Sequence, residues 1–127
     1  MNGKYLEFSD LLGKTITHIE GAEKGSDCIK LTTSDGDRFQ LWHSQDCCET
    51  VDVDDVNGDV ADLIGLPLTL AEESTSNTNP EGVQIEYQDS FTWTFYRLGT
   101  TKGVVVLRWY GASNGYYSES VNFEKLT

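Results

Sequence analysis

Apolar and polar residues alternate with a period of two along most of this chain, which predicts β-structure almost throughout. Thr15 to Glu20 alternates, with Ile16 and His18 on one face and Thr17 and Ile19 on the other. Cys28–Thr32 and Arg38–Trp42 read as two strands joined by Ser34-Asp35-Gly36-Asp37, an Asp-Gly hairpin signal. Thr50–Val53 reads as a short half-buried strand, Leu68–Ala71 as another, and Val83–Tyr87 as an edge strand or arm. Phe91–Tyr96 puts Phe91, Trp93 and Phe95 on one face and threonines on the other. Gly103–Trp109 is apolar on both faces, as a central strand would be, and Ser120–Phe123 closes the sheet. Glu73 to Pro80 is polar and reads as a loop. Two short helical turns are expected, at Phe8–Leu12 with Ser9 as cap and at Val60–Ile64 closed by Gly65. The fold class that follows is mostly β, at the margin of α+β, with eight to ten antiparallel strands in a sandwich or one continuous curved sheet.

The order of these elements occurs twice. Asp10-Leu11-Leu12-Gly13, followed by Ile16-Thr17 and Glu20, returns as Asp62-Leu63-Ile64-Gly65, followed by Leu68-Thr69 and Glu72. Trp42-His43 leads through a loop to Cys47–Val53, and Trp109-Tyr110 leads through a slightly longer loop to Tyr116–Phe123. A single domain over residues 1–127, built from a pseudo-repeat of 9–53 and 61–123, is the reading these matches favour. On that alignment Trp42 would lie over Trp109, and Glu49 over Glu119.

Charge changes the picture more than composition does. The chain of 127 residues carries a formal net charge of −12, and no Lys or Arg stands between Arg38 and Arg97. That stretch holds twelve carboxylates, seven of them within residues 46–62. Such a field disfavours direct nucleic-acid or anionic-lipid binding and favours a partner with a basic surface. No apolar run is long enough to span a membrane as a helix, and Met1–Glu7 lacks the apolar core of a secretory signal. Three cysteines, an odd number with two of them adjacent, fit free thiols in a reducing compartment. The expected location is therefore the cytoplasm.

His43-Ser44-Gln45-Asp46-Cys47-Cys48-Glu49 gathers imidazole, carboxylates and thiols in one loop. Zinc needs about four ligands in separated pairs, which this spacing does not offer, so no metal is expected. A cysteine nucleophile based on Cys47 or Cys48 with His43 as base is a rival reading, although nearby carboxylates oppose thiolate formation. Asp52–Asp59 lacks the Gly and Glu positions of a calcium-binding loop. Tyr110 to Tyr117 combines tyrosines with Gly, Ser and Asn114, the composition of recognition loops. No cofactor motif is present.

Several of these segments together carry a resemblance. His43–Glu49, Gly58-Asp59, Asp62–Gly65, Ala71–Glu73, Phe91–Tyr96, Arg108–Gly111 and Ser113–Glu119 are similar to a family of small phage and prophage proteins of unknown function, over about residues 39–123. The resemblance implies a phage accessory product at work in the bacterial host's cytoplasm and brings no catalytic residues with it. The expectation is an acidic, non-catalytic binding protein that inhibits a host defence protein by occluding a basic surface. Its contact residues would come from Asp46, Glu49, Asp52, Asp54, Asp55 and Asp59 and from Tyr110, Asn114, Tyr116 and Tyr117. The alternatives are a sponge for a small nucleotide signal, using Arg97, Lys102 and Arg108, and a cysteine-dependent enzyme.

Overall fold

A computed structural model describes residues 6–85 and 89–126. It contains eight strands: β1 (Ile16–Glu20), β2 (Cys28–Thr33), β3 (Arg38–Trp42), β4 (Thr50–Asn57), β5 (Leu70–Ser76), β6 (Ser90–Thr100), β7 (Gly103–Ser113) and β8 (Asn122–Lys125). Two 3-10 turns, Phe8–Leu11 and Val60–Leu63, precede β1 and β5. The strands form two four-stranded antiparallel sheets rather than one, in the orders β1-β2-β3-β8 and β4-β7-β6-β5. The mostly β class read from the pattern is what the chain adopts.

The two orders have one plan. Each sheet takes three consecutive strands from one half of the chain and the last strand of the other half. The shared Gly13–Ile16 and Gly65–Leu68 segments run against each other. Gly13 N–H donates to Leu68 O at 2.9 Å and Gly65 N–H donates to Ile16 O at 2.9 Å. Thr15 bridges to Pro67, its own counterpart. Reciprocal bonds between matching residues, around a self-paired position, describe a local twofold relation.

Both sheets feed one core. Ile29, Leu31, Phe39 and Leu41 from the first meet Tyr96, Leu98, Leu107 and Trp109 from the second, with Phe8 and Leu11 of the first turn packed among them. Phe8 lies 4.6 Å from the Tyr96 ring and 5.4 Å from Phe123, centroid to centroid. Burying this set supplies the main driving force for folding.

Several elements differ from the pattern reading, each for a physical reason. A β-bulge between Ile16 and His18 shifts the phase of β1, so Ile16 and Ile19 point inward while His18 is exposed. The first turn is capped by a reciprocal Glu7/Asp10 box rather than by Ser9. β4 runs on to Asn57, and β5 continues through the polar Glu73–Ser76, because pairing with a long central hairpin outweighs their polarity. The closing strand is Asn122–Lys125. Val83–Ile85 forms no strand, and the rest of that expected arm lies outside the described residues.

Phe91, Trp93 and Phe95 do share a face, but it is the outer face of the second sheet. There Trp93, fully buried, sits 4.5 Å from the Tyr110 ring under the Arg108 guanidinium at 5.2 Å, and its Nε1 donates to Asn79 Oδ1 at 3.0 Å. Cross-strand register moves the other tryptophan match by one residue. Trp42 lies opposite Asn122 as Tyr110 lies opposite Asp52, so the register partner of Trp109 is Leu41. Trp42 faces outward and Trp109 inward, a difference that a one-residue offset in a strand produces.

Candidate functional site

The topology brings two loops to one end of the molecule. Residues 43–49 carry the chain from β3 to β4, across from the first sheet to the second. Residues 114–121 carry it from β7 to β8, back from the second to the first. Trp42 pairs with Asn122 and Thr50 pairs with Ala112, so the loops leave and enter side by side and cross in opposite directions. Ser44–Cys48 and Asn114–Tyr116 are exposed, with Tyr116 at 89%.

Each loop folds over a buried glutamate. The carboxylate of Glu49 has no exposed surface. Its Oε2 accepts from His43 Nε2 at 2.7 Å and from the Asp46 amide at 2.9 Å. Its Oε1 accepts from Gln45 Nε2 at 3.1 Å and from the Cys47 amide at 3.0 Å. Burial pushes the acid up, but the His43 bond and the amides of Cys47 and Asp46 outweigh it and hold its pKa down at about 2. His43 Nδ1 lies 2.8 Å from the Ser120 carbonyl, which can only accept. This geometry asks for a ring with hydrogen on both nitrogens, tying loop 43–49 to the start of β8. Burying this His–Glu pair is tolerated because every remaining lone pair has a donor.

Glu119 is built differently. Thr92 Oγ1 donates to Oε1 at 2.9 Å, Ser113 Oγ donates to Oε2 at 2.5 Å, and the Ser90 hydroxyl adds a third bond. Burial raises this acid and the three hydroxyls lower it, with a net downward shift. The chain passes so close here that a Cβ at Gly111 would meet the Glu119 carbonyl oxygen at 2.6 Å. Only glycine fits that approach.

The carboxylates of residues 46–62 do not form a single exposed face. Glu49 leaves it, because its carboxylate shapes the loop from beneath. Asp46 and Asp59 are exposed, and Asp52, Asp54 and Asp55 are half-buried along the outer face of β4, an edge strand. Asp54 occupies the bulge between Val53 and Asp55, and its Oδ2 accepts from Arg108 Nε at 2.8 Å and Nη2 at 2.6 Å. Burial raises the Asp52 carboxyl, helped by the charges of Asp54 and Asp27. Carboxylates on an edge strand also oppose edge-to-edge pairing.

Of the tyrosines, Tyr116 stands at the loop tip and Tyr117 is half-buried, whereas Tyr110 belongs to β7 and packs at a tilt against Trp93. Asn114 is exposed, and its side chain accepts from the Tyr116 amide at 3.1 Å, fixing the turn. The three cations considered for a nucleotide do not meet at this loop. Arg108 is paired with Asp54, Arg97 donates to Ser74 at 3.1 Å, and Lys102 lies in the turn at the opposite end of the β6–β7 hairpin. A strand of that length separates Lys102 from the loop by roughly 30 Å.

Neither His43 nitrogen is turned to a cysteine. Cys47 and Cys48 are joined to each other, where thiols were expected, and Cys28 is the free cysteine. Among the described residues, no group of three or more His, Cys, Asp or Glu side chains is placed to hold a metal ion, and no helix is long and apolar enough to cross a membrane. The pattern reading missed that Glu49 and Glu119 are internal. The available signal was their position: each ends a repeat-equivalent loop, six residues after a side chain that now bonds to it.

Comparison with protein families matches residues 9–123 to a domain of unknown function, DUF7448. The chain belongs to that family. No curated protein and no solved structure gives a match.

Proposed function

We propose that this protein is a non-catalytic binding module whose contact surface is the paired-loop end together with the acidic β4 edge beside it. One observation supports this reading most. Two buried glutamates hold two loops in fixed shapes while leaving the tips, including Tyr116 at 89% exposure, open to solvent. Rigid loops with an exposed tyrosine and small polar neighbours lower the entropy cost of association. Asp46 within the first loop and Asp55 on the outer face of β4, which that loop leads into, steer a basic partner toward this end. With the phage resemblance of the sequence, the role that fits is an accessory protein of the bacterial host's cytoplasm, inhibiting a host defence protein by covering its basic surface.

The test is capture from bacterial lysate with wild type and with the double variant Asp46→Lys, Asp55→Lys. Asp54 is left alone because it holds Arg108. A partner retained by wild type, released as salt is raised and lost from the variant supports the reading. Equal retention by both chains sinks it.

A further inference from the structure

Among the described residues, β5 ends the second sheet and has a strand neighbour on one side, β6. Among the described residues, the backbone of Leu70–Thr75 forms its ladder with β6 and makes no hydrogen bond to the first 3-10 turn beside it. Between that turn and the free edge runs an open groove of about 580 Å³, bordered by Leu6–Ser9 on one side and Ala71–Ser74 with Arg97 on the other. Among the described residues, Glu7, Glu72 and Glu73 stand along it with Arg97.

We propose that this groove is a strand-addition site for an extended basic peptide segment, independent of the paired loops. An extended chain laid along β5 would satisfy the edge N–H and C=O groups, and its alternate side chains would fall on the two faces of the sheet. Glu72 is paired with Arg97 in register and lies on the outer face. Glu73 is paired with Tyr96, whose hydroxyl donates to it at 3.2 Å, and lies toward the core side. Lys or Arg at successive positions of the incoming strand would therefore meet a carboxylate on either face. A second copy of this chain is the poorer occupant, because antiparallel pairing of two β5 edges sets Glu72 and Glu73 against like charges.

The test uses the full chain and an eight-residue peptide with two adjacent Lys residues at its centre and Val and Thr around them, followed by amide chemical shifts and hydrogen exchange. Saturable binding is expected, with shifts at Leu6–Ser9 and Ala71–Ser74 and slowed exchange of β5 amides. The same peptide, N-methylated at alternate backbone nitrogens, should bind at least about tenfold more weakly, since it cannot complete a ladder. Glu72→Lys should weaken the unmethylated peptide about threefold or more, and Glu72 is exposed and outside the core. Equal binding of the methylated peptide, shifts confined to β4 or the paired loops, or no binding at all would each overturn the proposal.

Discussion

The two buried glutamates sit at matching places in the chain yet are held by opposite chemistries. Glu49 receives N–H donors at both oxygens, one of them from a buried imidazole, so its site accepts only a full carboxylate. Glu119 is surrounded by hydroxyls, each of which can turn to donate or accept. The same loop-shaping task is thus done around two carboxylates, once by fixed N–H donors and once by adaptable hydroxyls. The first tolerates almost no change. The second gains its constraint from the backbone, where Gly111 lets the chain press close.

The largest effect should come from His43. Its side chain is 3% exposed and spans Glu49 and Ser120, so His43→Leu leaves a buried carboxylate without its cation. A loss of about 3 kcal/mol is expected, measured by denaturant unfolding. A loss near zero would show that the amides alone hold Glu49 and would erase the contrast between the two ends. On the other side, Gly111→Ala should cost about 2 kcal/mol through overpacking against the Glu119 backbone. If instead Gly111→Ala is neutral, the close approach is not what fixes the second loop.

Glutamine substitutions sharpen the comparison directly. Glu119→Gln replaces one acceptor by a donor among hydroxyls that can reverse, and should cost about 1 kcal/mol. Glu49→Gln sets an NH2 against N–H donors and should cost more, with the loss of the His43–Ser120 link visible as new exchange of loop amides. An equal or larger effect at Glu119 would refute the assignment of fixed N–H donors to one site and adaptable hydroxyls to the other.

These networks also mark the boundary of what the sequence could say. Alternation located most of the strands, since a half-buried sheet writes its faces into every second residue. The repeated Asp-Leu-Leu-Gly and Asp-Leu-Ile-Gly segments pointed to paired halves. Exchange of the last strands between the sheets was not legible, because nothing local distinguishes pairing with one's own half from pairing with the other. For the same reason Glu49 read as surface charge. A carboxylate's burial is decided by donors that arrive from loop amides and a distant carbonyl, not by its neighbours in the chain. The bulges at Thr17 and Asp54 escaped notice because each interrupts the alternation by a single residue.

Acid should expose the difference next. The Glu49 pKa falls from 4.5 unfolded to about 2 folded, so between these values the unfolded chain binds a proton that the folded chain does not. Its contribution is therefore present above pH 4.5 and is lost as pH falls toward about 2. Glu119 is lowered as well and adds to the same trend. Thermal melts from pH 5 to pH 2 should show stability falling throughout that window, and Glu49→Gln should flatten the fall more than Glu119→Gln does. Identical slopes in both variants would place the two acids in equivalent environments after all.

The smallest effect on the fold should come from the loop tips, and there the two ends are expected to agree. Tyr116 is 89% exposed and packs on nothing that the buried network needs, so Tyr116→Ala should move stability by less than about 0.5 kcal/mol. Its amide bond to Asn114 is made by the backbone and survives the substitution. If this end contacts a partner, the same change should weaken binding by about tenfold or more, as loss of an aromatic anchor does. His43→Leu should weaken that binding too, but only by loosening the loop, so it should slow association and leave any contact of Tyr116 in place. Measured side by side, a Tyr116→Ala variant that folds and binds as wild type does would remove the paired loops from the contact surface. The acidic β4 edge would then have to account for recognition alone.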